Sequence, residues 1–407
     1  MDKPKPKILM ISAQLVPEVF GGAEQQCLKL SKQLISDGYQ ITILTSRSTF
    51  KLPYKENLDG IEVVRIWTGT APQIMGPYIL SSLLWLIGCI LWFRKNYNGI
   101  DIVHIHQAKF QAFVGCLLGR WFRKPVIVKV GNADSSFDLE SLKRKAIIGN
   151  FLYQTVKNNT TKFIAISTQI QQNFADHNIE SYKVINIPNG VSQILTFDEV
   201  QQKKQHSRFR LIDKFLNTST DCKYFLSAGR LSEEKNITLL VKVFVELAKD
   251  NKDIWLIILG DGPLQKDIQL LIQENKIEDK VILTGYVKNV NEYMIASDFF
   301  VLPSEIEGMS NSLLEAMSIG LIPIASKISG SADLIQHGEN GYLVAPPLET
   351  NFKDALLTVI KMDSGCILEM QRKSYSTIKA YYTMDLIANR YKTLYSDLVA
   401  RVNFIPN

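Results

Sequence analysis

The residues best suited to chemistry lie in one polar segment of the second half, residues 303–317, which runs from a loop into a helix. It contains two carboxylates, Glu307 and Glu315, with seven residues between them. If the helix begins around residues 310–312, its first backbone N–H groups and the positive end of its dipole form a site suited to phosphate. Glu307 then lies beside whatever the phosphate carries. Glu315, one turn into the helix, faces the other side, where a ribose could sit.

These residues alone leave a purely structural alternative open. Ser312 and Glu315 have the Ser-x-x-Glu spacing of a capping box, which stabilises a helix start and needs no ligand. Cations elsewhere in the same half of the chain favour the phosphate interpretation.

Two such cations stand at the end of another predicted strand. Arg230 follows Gly229, and Lys235 lies five residues beyond Arg230, just ahead of a helix. Fixed positive charge at this position suits a diphosphate, because it offsets the negative charge that grows on a leaving phosphate. The alternative is a solvated basic pair at a turn. Gly260 and Gly262 allow close backbone approach at a further strand end, although such a pair is weak evidence alone.

Short apolar runs alternate with helical stretches along nearly the whole chain, as in parallel sheets covered by helices on both faces. In the first half we predict strands at 7–11, 41–44, 61–66, 102–105, 126–130, 163–166 and 184–187, and a helix over 22–36. In the second half we predict strands at 224–228, 255–259, 281–283, 299–302 and 322–325, and helices over 237–249, 264–273 and from about 311. The fold class is therefore α/β, with two doubly wound parallel-sheet domains whose strand ends would line a shared cleft.

The length of 407 residues is too great for one ordinary core and agrees with two domains. We predict a first domain over residues 1–190, a polar linker with an exposed helix over 191–221, and a second domain over 222–383. The last helix, within about 384–407, has no strand of its own and is expected to cross back onto the first domain.

Composition narrows the setting of the protein. A net charge of +6 is small for this length and does not indicate nucleic-acid binding. The five cysteines are scattered without a C-x-x-C pair, which predicts reduced thiols rather than a disulfide framework or zinc site. The N-terminal region runs directly into an apolar strand and predicts no secretory signal. We therefore expect a cytoplasmic protein.

One uncharged segment complicates this prediction. The apolar run 78–93 is closed by Arg94 and Lys95, and Pro77 limits its helix to about 17 residues, at or below the length needed to cross a bilayer. A buried core helix, a membrane-surface helix and a span all remain open. The tryptophans and the basic pair keep the surface interpretation competitive, with residues 78–95 as a peripheral contact for an anionic membrane.

The chain resembles the retaining glycosyltransferases of the GT-B fold, glycosyltransferase family 4, over nearly its whole length. The motifs that carry the resemblance occur in the family's order: Gly21-Gly22-Ala23-Glu24, Gly229-Arg230 with Lys235, Gly260-Asp261-Gly262, and Glu307 with Glu315. The stretch 303–341 is the most specific part. The resemblance implies a GT-B fold, with two Rossmann-like domains facing a central cleft.

The same resemblance implies roles for particular residues. The first glutamate of the family's E-x7-E motif contacts the donor sugar and the second bonds the ribose, which implies these roles for Glu307 and Glu315. Arg230 and Lys235 would bind the donor diphosphate. The donor-binding set would also include residues that offer backbone amides or close approach: Gly262, Gly308, Met309, Ser310 and Asn311.

In the first domain, Gly21 and Gly22 would form the loop that closes over the phosphate and acceptor. His106 matches a strand-end histidine that relatives place beside the donor sugar. His104 points to the same face of the predicted strand, so either histidine could instead be packed in the core. The catalytic set implied by the resemblance is therefore Glu307, His106, Arg230 and Lys235.

The sequence departs from the family pattern at three places. Lys235 is followed by Asn236 where many relatives have Lys-Gly, and Asp333 stands where a Glu is common. The strand-end segment from Lys129 to Asn132 replaces a more usual His-Gly, which puts acceptor or sugar contacts there in doubt. No D-x-D motif indicates a metal-bound diphosphate, and the family generally needs no metal or other cofactor.

The implied function is transfer of a hexosyl or N-acetylhexosaminyl group from a UDP- or GDP-linked sugar to a saccharide or lipid-linked saccharide, in cell-surface polysaccharide synthesis. Two alternatives share the architecture: a nucleotide-sugar 2-epimerase, which needs no acceptor, and a non-catalytic nucleotide-sugar-binding subunit. The combination of Arg230, Lys235 and the E-x7-E motif disfavours both. Turnover of a donor without acceptor would identify the epimerase.

Overall fold

The computed structural model describes residues 5–17, 21–70, 79–145, 148–192, 195–215, 222–346 and 348–402. The chain forms two compact units, residues Met1–Ser192 with Met384–Asn407 and residues Gln193–Thr383. Each unit contains one mainly parallel sheet whose strands are connected through helices. The predicted α/β class with two Rossmann-like, doubly wound domains is confirmed.

Among the described residues, the sheet of the first unit has eight strands, the expected seven and one more. They are β1 (Lys7–Ile11), β2 (Gln40–Arg47), β3 (Lys55–Leu58), β4 (Ile61–Trp67), β5 (Ile102–His106), β6 (Val126–Val130), β7 (Lys162–Ala165) and β8 (Val184–Asn186). The helices are α1 (Gly22–Ser36), α2 (Ile79–Asn96), α3 (Phe110–Trp121), α4 (Asp138–Lys143), α5 (Gly149–Asn159) and α6 (Thr168–Asp176).

The strand order of this sheet is β3-β4-β2-β1-β5-β6-β7-β8, and β3 is the one antiparallel strand. The order runs outward in opposite directions from β1 and β5. Such a topological switch point opens a crevice beyond the carboxyl ends of its two strands, which is where open α/β sheets bind ligands.

The second unit has a six-stranded parallel sheet in the order β11-β10-β9-β12-β13-β14. Its strands are β9 (Lys223–Ala228), β10 (Ile254–Leu259), β11 (Val281–Gly285), β12 (Phe299–Leu302), β13 (Ile322–Ser326) and β14 (Tyr342–Val344). Its helices are α7 (Phe197–Phe215), α8 (Ile237–Asp250), α9 (Gln265–Glu274), α10 (Val290–Ala296), α11 (Asn311–Ser318), α12 (Ser329–Leu334), α13 (Leu348–Ile360) and α14 (Ser364–Tyr381). The switch point lies between β9 and β12.

Helix α7 differs from the exposed helix expected in the polar segment. Phe197 and Val200 are buried, and the Arg208 guanidinium donates to both carboxylate oxygens of Asp298 at 2.6 Å. The polar sequence is therefore that of an amphipathic helix with one face packed on the second unit. Residues 193–194 and 216–221 of the predicted linker lie outside the described residues.

The last helix, α15 (Met384–Val402), packs on the first unit. Ile387, Tyr391 and Tyr395 join that unit's buried core, and Lys392 Nζ lies 2.6 Å from the Asp37 carboxylate. The helix therefore completes one face of a sheet whose last strand ends at Asn186, nearly two hundred residues before the helix begins.

Candidate functional site

The predicted donor-site residues of the second unit lie in loops that leave the carboxyl ends of its strands. Arg230 and Lys235 follow β9, and Glu307 follows β12. Because β9 and β12 flank the switch point, their loops are neighbours although the two strands are far apart in sequence.

The Glu307 carboxylate is held by a cation and a hydroxyl. Its Oε1 forms an ion pair with Lys235 Nζ and lies 3.4 Å from Ser304 Oγ, which donates to it. The side chains of Lys235 and Glu307 are 23% and 12% exposed. This partial burial weakens screening by water, so the pair fixes the direction of both side chains.

Helix α11 begins at Asn311, within the predicted range, and Ser310 is its N-cap. Ser310 has extended backbone angles, and its Oγ accepts a hydrogen bond from the Leu313 backbone N–H at 3.4 Å. The residue three positions after the cap is therefore Leu313, and the proposed capping box of Ser312 and Glu315 is wrong. The register places Glu315 in the second turn of α11, beyond the first turn that Ser310 caps.

The loop before α11 is supported by residues that the sequence analysis missed. The Gly308 carbonyl accepts hydrogen bonds from the Gly330 N–H at 2.8 Å and from Ser329 Oγ at 2.9 Å. A Cβ at Gly330 would lie 2.4 Å from the Gly308 oxygen and 2.6 Å from Met309 Cα. The start of α12 thus fixes the backbone between Glu307 and α11, and only a residue without a side chain permits this approach.

The loop after β9 presents one exposed and one half-buried cation. Arg230 is exposed, whereas Lys235 ends a single 3-10 turn. Asn236 follows with a φ of 51°, in the left-handed region that Gly and Asn tolerate best. The replacement of the family's Lys-Gly by Lys-Asn is therefore compatible with the backbone that aims Lys235 at Glu307.

The glycines after β10 pack closely against the backbone of the loop that contains Arg230. Gly260 has a φ of +124°, and a Cβ there would lie 2.0 Å from the Gly229 carbonyl oxygen. At Gly262 a Cβ would lie 2.4 Å from the Leu231 oxygen, and the Leu231 N–H donates to the Asp261 carbonyl at 2.8 Å. The Gly-Asp-Gly turn is therefore required for close packing of two loops.

In the first unit, the predicted glycines lie at the end of α1 nearest the β1 loop. Gly21 is the N-cap of α1 and Gly22 its first residue, and the Gly21 carbonyl accepts from the Gln25 N–H at 3.1 Å. The preceding residues 18–20 lie outside the described part of the chain.

His106 and His104 lie on the same face of β5, as expected, with ring centroids 4.6 Å apart. His106 is 1% exposed, and its Nε2 lies 3.4 Å from Met10 Sδ. Burial, with His104 and Lys129 nearby, lowers the pKa of His106 well below its ordinary value. The imidazole is neutral at physiological pH and can serve as a hydrogen-bonding group rather than as a proton donor.

Lys129 lies near the end of β6, in the segment that replaces the more usual His-Gly. Lys129 pairs in register with His106 on the neighbouring strand and is 7% exposed. Burial lowers its pKa to about 8. Downstream, the Asp138 carboxylate accepts hydrogen bonds from the Gly131 N–H and Asn132 Nδ2, both at 2.9 Å. The segment after β6 is thus an ordered loop held by a buried carboxylate.

The described residues contain no group of three or more His, Cys, Asp or Glu side chains that could hold a metal ion.

Two family models match the chain, one for each unit. The model for glycosyl transferases group 1 matches residues 209–379, and that for Glycosyltransferase Family 4 matches residues 20–193. The Escherichia coli UDP-Gal:alpha-D-GlcNAc-diphosphoundecaprenol alpha-1,3-galactosyltransferase is 27% identical over 97% of this chain and 98% of that protein. The N-acetyl-alpha-D-glucosaminyl L-malate synthase of Bacillus anthracis is 23% identical over 96% and 97%.

Among solved structures, that of Anabaena HepE in complex with UDP and glucose has a TM-score of 0.74 and 18% identity, over 96% of this chain and 99% of that one. The two Rossmann-like sheets and their switch-point loops thus define a class, the glycosyltransferases of the GT-B fold. The chain belongs to glycosyltransferase family 4, with a group 1 glycosyl transferase domain as its second unit, and it is a glycosyltransferase.

Proposed function

We propose that the protein transfers a hexosyl or N-acetylhexosaminyl group from a UDP- or GDP-linked donor to a saccharide or lipid-linked saccharide, with retention of configuration, in cell-surface glycan synthesis. The observation that carries this proposal is the meeting of Lys235 and Glu307 at the switch point, beside the start of α11. A cation and a helix N-terminus suit the donor's diphosphate, and a carboxylate suits the hydroxyl groups of its sugar.

In this proposal Arg230, Lys235 and the α11 amides offset the charge that grows on the leaving diphosphate. Glu307 accepts hydrogen bonds from the donor sugar and Glu315 from the ribose. The remaining donor-site residues offer backbone amides or close approach: Gly262, Gly308, Met309, Ser310 and Asn311. His106 and the loop of Gly21 and Gly22 contribute from the first unit.

The proposed chemical step takes place on one face of the sugar. The bond between the anomeric carbon and the diphosphate oxygen breaks while the acceptor hydroxyl oxygen bonds to the same carbon from the same side. The hydroxyl proton passes to the departing phosphate oxygen, which balances the step. Glu307 is bound by Lys235 and Ser304 and so serves to orient the sugar. The two cations supply the charge that the leaving group needs, so the proposed step requires no metal or other cofactor.

A lipid-linked acceptor is supported by a relative. The name of the Escherichia coli enzyme specifies an acceptor on diphosphoundecaprenol. We therefore propose that the protein acts in the cytoplasm, peripheral on the inner face of the membrane.

The test is transfer from a panel of UDP- and GDP-sugars, with and without soluble and lipid-linked saccharide acceptors, followed by NMR of the product's anomeric proton. The proposal predicts a product only when acceptor is present, with the anomeric configuration of the donor. Release of an isomerised nucleotide sugar without acceptor would instead identify an epimerase, and an inverted product would contradict retention.

A further inference from the structure

The outer face of α2 exposes a continuous apolar row. Leu80, Leu83, Ile87 and Leu91 are 66, 50, 53 and 58% exposed, and Ile79 at the first residue of the helix is 53% exposed. Spacings of three and four residues place such side chains along one side of a helix. We call these five residues the outer α2 stripe. Contiguous exposed apolar surface of this kind usually marks a site of interaction with another protein or with a membrane.

The opposite face of α2 is packed into the first unit. Trp85, Cys89 and Phe93 are fully buried. A Cβ at Gly88 would lie 2.3 Å from Ile66 Cγ2, so the helix lies directly on β4. Within the described residues α2 is the one helix apolar and long enough to cross a membrane, and about a third of its most apolar part is buried in the protein. A span would remove its inner face from the core, whereas contact through the stripe leaves that packing intact.

Basic residues border the stripe at one end. Arg94 and Lys95 close α2, and both are exposed. The Phe122 ring lies 4.9 Å from the Phe93 ring, which brings the end of α3 to the same place. Two exposed arginines there complete what we call the basic rim: Arg94, Lys95, Arg120 and Arg123.

The charge of this region is strongly one-sided. From Ile79 to Lys124 the sequence has six basic residues and one acid, Asp101. The Asp101 carboxylate is already engaged, since it accepts a hydrogen bond from the Lys7 backbone N–H at 2.7 Å. Neither α2 nor α3 contains an acidic residue. The surface therefore combines an apolar helix face with positive charge that has no carboxylate on those helices to pair with.

We propose that the outer α2 stripe and the basic rim dock on an anionic lipid bilayer, with α2 in the plane of the membrane surface. The stripe enters the boundary between head groups and acyl chains, and the rim contacts lipid phosphates. Trp121, which is 56% exposed beside the rim, is a residue type that favours this boundary. A second copy of the chain is a poorer occupant, because its own α2 and α3 offer no acid to the rim.

This inference deepens the proposed function and rests on it for its purpose, because docking brings the enzyme to a lipid-linked acceptor. Docking itself needs neither donor nor catalysis, so its failure and the failure of the proposed function give different results.

The first test is co-sedimentation of the full chain with vesicles of phosphatidylcholine, with and without phosphatidylglycerol. The double variant Leu83→Glu, Ile87→Glu should bind anionic vesicles at least tenfold more weakly, because two charges enter the stripe. The matched control is Leu270→Glu, Leu368→Glu, which changes two exposed leucines of the second unit and should bind like the parent. Both variants should keep the parent's circular dichroism and its affinity for nucleotide sugars.

The second test addresses the rim. Arg94→Ser with Lys95→Ser should reduce both the preference for phosphatidylglycerol and the weakening of binding by salt, because the variant removes two of the rim's four charges. Lys242→Ser with Lys249→Ser removes the same charge from the exposed side of α8 and should change neither.

Three results would overturn the docking proposal. The parent could fail to sediment with either vesicle, or the stripe variant could bind as the parent does. Alternatively, the parent could dimerise through a contact that the stripe variant abolishes, without binding vesicles, which would assign the stripe to a second copy. A parent that binds vesicles yet no nucleotide sugar would contradict the proposed function and leave the docking surface standing.

Discussion

Lys235 and Glu307, 72 residues apart in sequence, form an ion pair between the loops that follow β9 and β12. The pair joins the two strands that flank the switch point of the second sheet. In the proposed donor site, this sets the cation assigned to the diphosphate beside the carboxylate assigned to the sugar. The predictions below follow from this arrangement and from the elements that support it.

Lys235→Ala should reduce transfer by about 10²-fold or more in kcat/KM, the effect typical of removing one group that stabilises developing charge. It should also weaken binding of the donor, because the diphosphate loses a cation. Steady-state kinetics with a donor titration would measure both. Lys242→Ala, an exposed lysine on α8, is the control and should behave like the parent. Unchanged kinetics in Lys235→Ala would remove Lys235 from the site.

Glu307→Gln should separate binding from transfer. The substitution keeps the side chain's size but removes the charge that neutralises Lys235, so a nucleoside diphosphate should bind at least as tightly as to the parent. Transfer should fall, because the sugar loses a charged acceptor of its hydroxyl hydrogen bonds. Isothermal titration with UDP or GDP beside a transfer assay would show the split. A parallel loss of both would mean that Glu307 supports the loop rather than the sugar.

Substitutions of Ser310, the N-cap of α11, and of Glu315, inside the helix, should have different effects. Ser310→Ala should lower the free energy of unfolding by about 1 kcal/mol, because the Leu313 N–H loses its side-chain acceptor. Glu315→Gln should cost less stability but reduce the preference for a ribonucleotide over its 2′-deoxy analogue. Urea unfolding and competition binding would test the pair. If both variants were equally destabilised and the preference for ribose were unchanged, Glu315 would have only a structural role.

Gly330→Ala should displace the loop that precedes α11, although residue 330 is not part of that loop. The added Cβ meets the backbone of Gly308 and Met309, so the loop must move, at a cost of about 1–3 kcal/mol in stability. Donor affinity should fall with it. Gly99→Ala is the control, because a Cβ there meets nothing within 4 Å. Parent-like affinity in Gly330→Ala would show that α12 does not position the loop.

The buried histidines predict a specific dependence of stability on pH. Burial, then the nearby Lys129, lowers the pKa of His104 from 6.5 to about 3. Between about pH 6.5 and pH 3, His104 is therefore protonated in the unfolded chain but neutral in the folded chain. The free energy of unfolding falls as the pH is lowered through this range. His104→Phe should be less stable than the parent at neutral pH. The difference should then shrink by about 1.4 kcal/mol per pH unit on acidification.

Tyr395→Phe is the control for that experiment. Its hydroxyl lies 2.8 Å from His104 Nδ1, so the variant loses the same hydrogen bond but keeps the imidazole. It should follow the parent's pH dependence at lower stability. Urea unfolding midpoints across the acid range would measure both variants. Parallel curves for His104→Phe and the parent would refute the lowered pKa.

Elements with a clear apolar pattern were predictable from sequence. The runs 7–11 and 22–36 agree with β1 and α1 at both ends. Strand β3 was missed because Lys-Glu-Asn-Leu is polar, and it lies at the sheet edge with an exposed pattern. Strand β14 was also missed, although β8 is equally short and was predicted. Propensity and pattern therefore identify most buried strands and overlook polar edge strands such as β3.

The types of the site residues were predictable, whereas their contacts were not. Glu307 and Lys235 were identified by motif, but their ion pair depends on strand order, which the alternation of elements does not determine. Ser310 and Ser312 are equally good caps by residue type, and only the backbone distinguishes them. The support from Ser329 and Gly330 had no signal beyond two small residues at the start of a helix, because close approach is a property of packing.

The most direct test of the account is isothermal titration of the full chain with a panel of UDP- and GDP-sugars, repeated on Arg230→Ala and Lys235→Ala. The account predicts that at least one nucleotide sugar binds the parent and that each variant weakens its binding by tenfold or more. Equal binding by parent and variants, or no binding by any member of the panel, would contradict a donor site at the β9–β12 switch point.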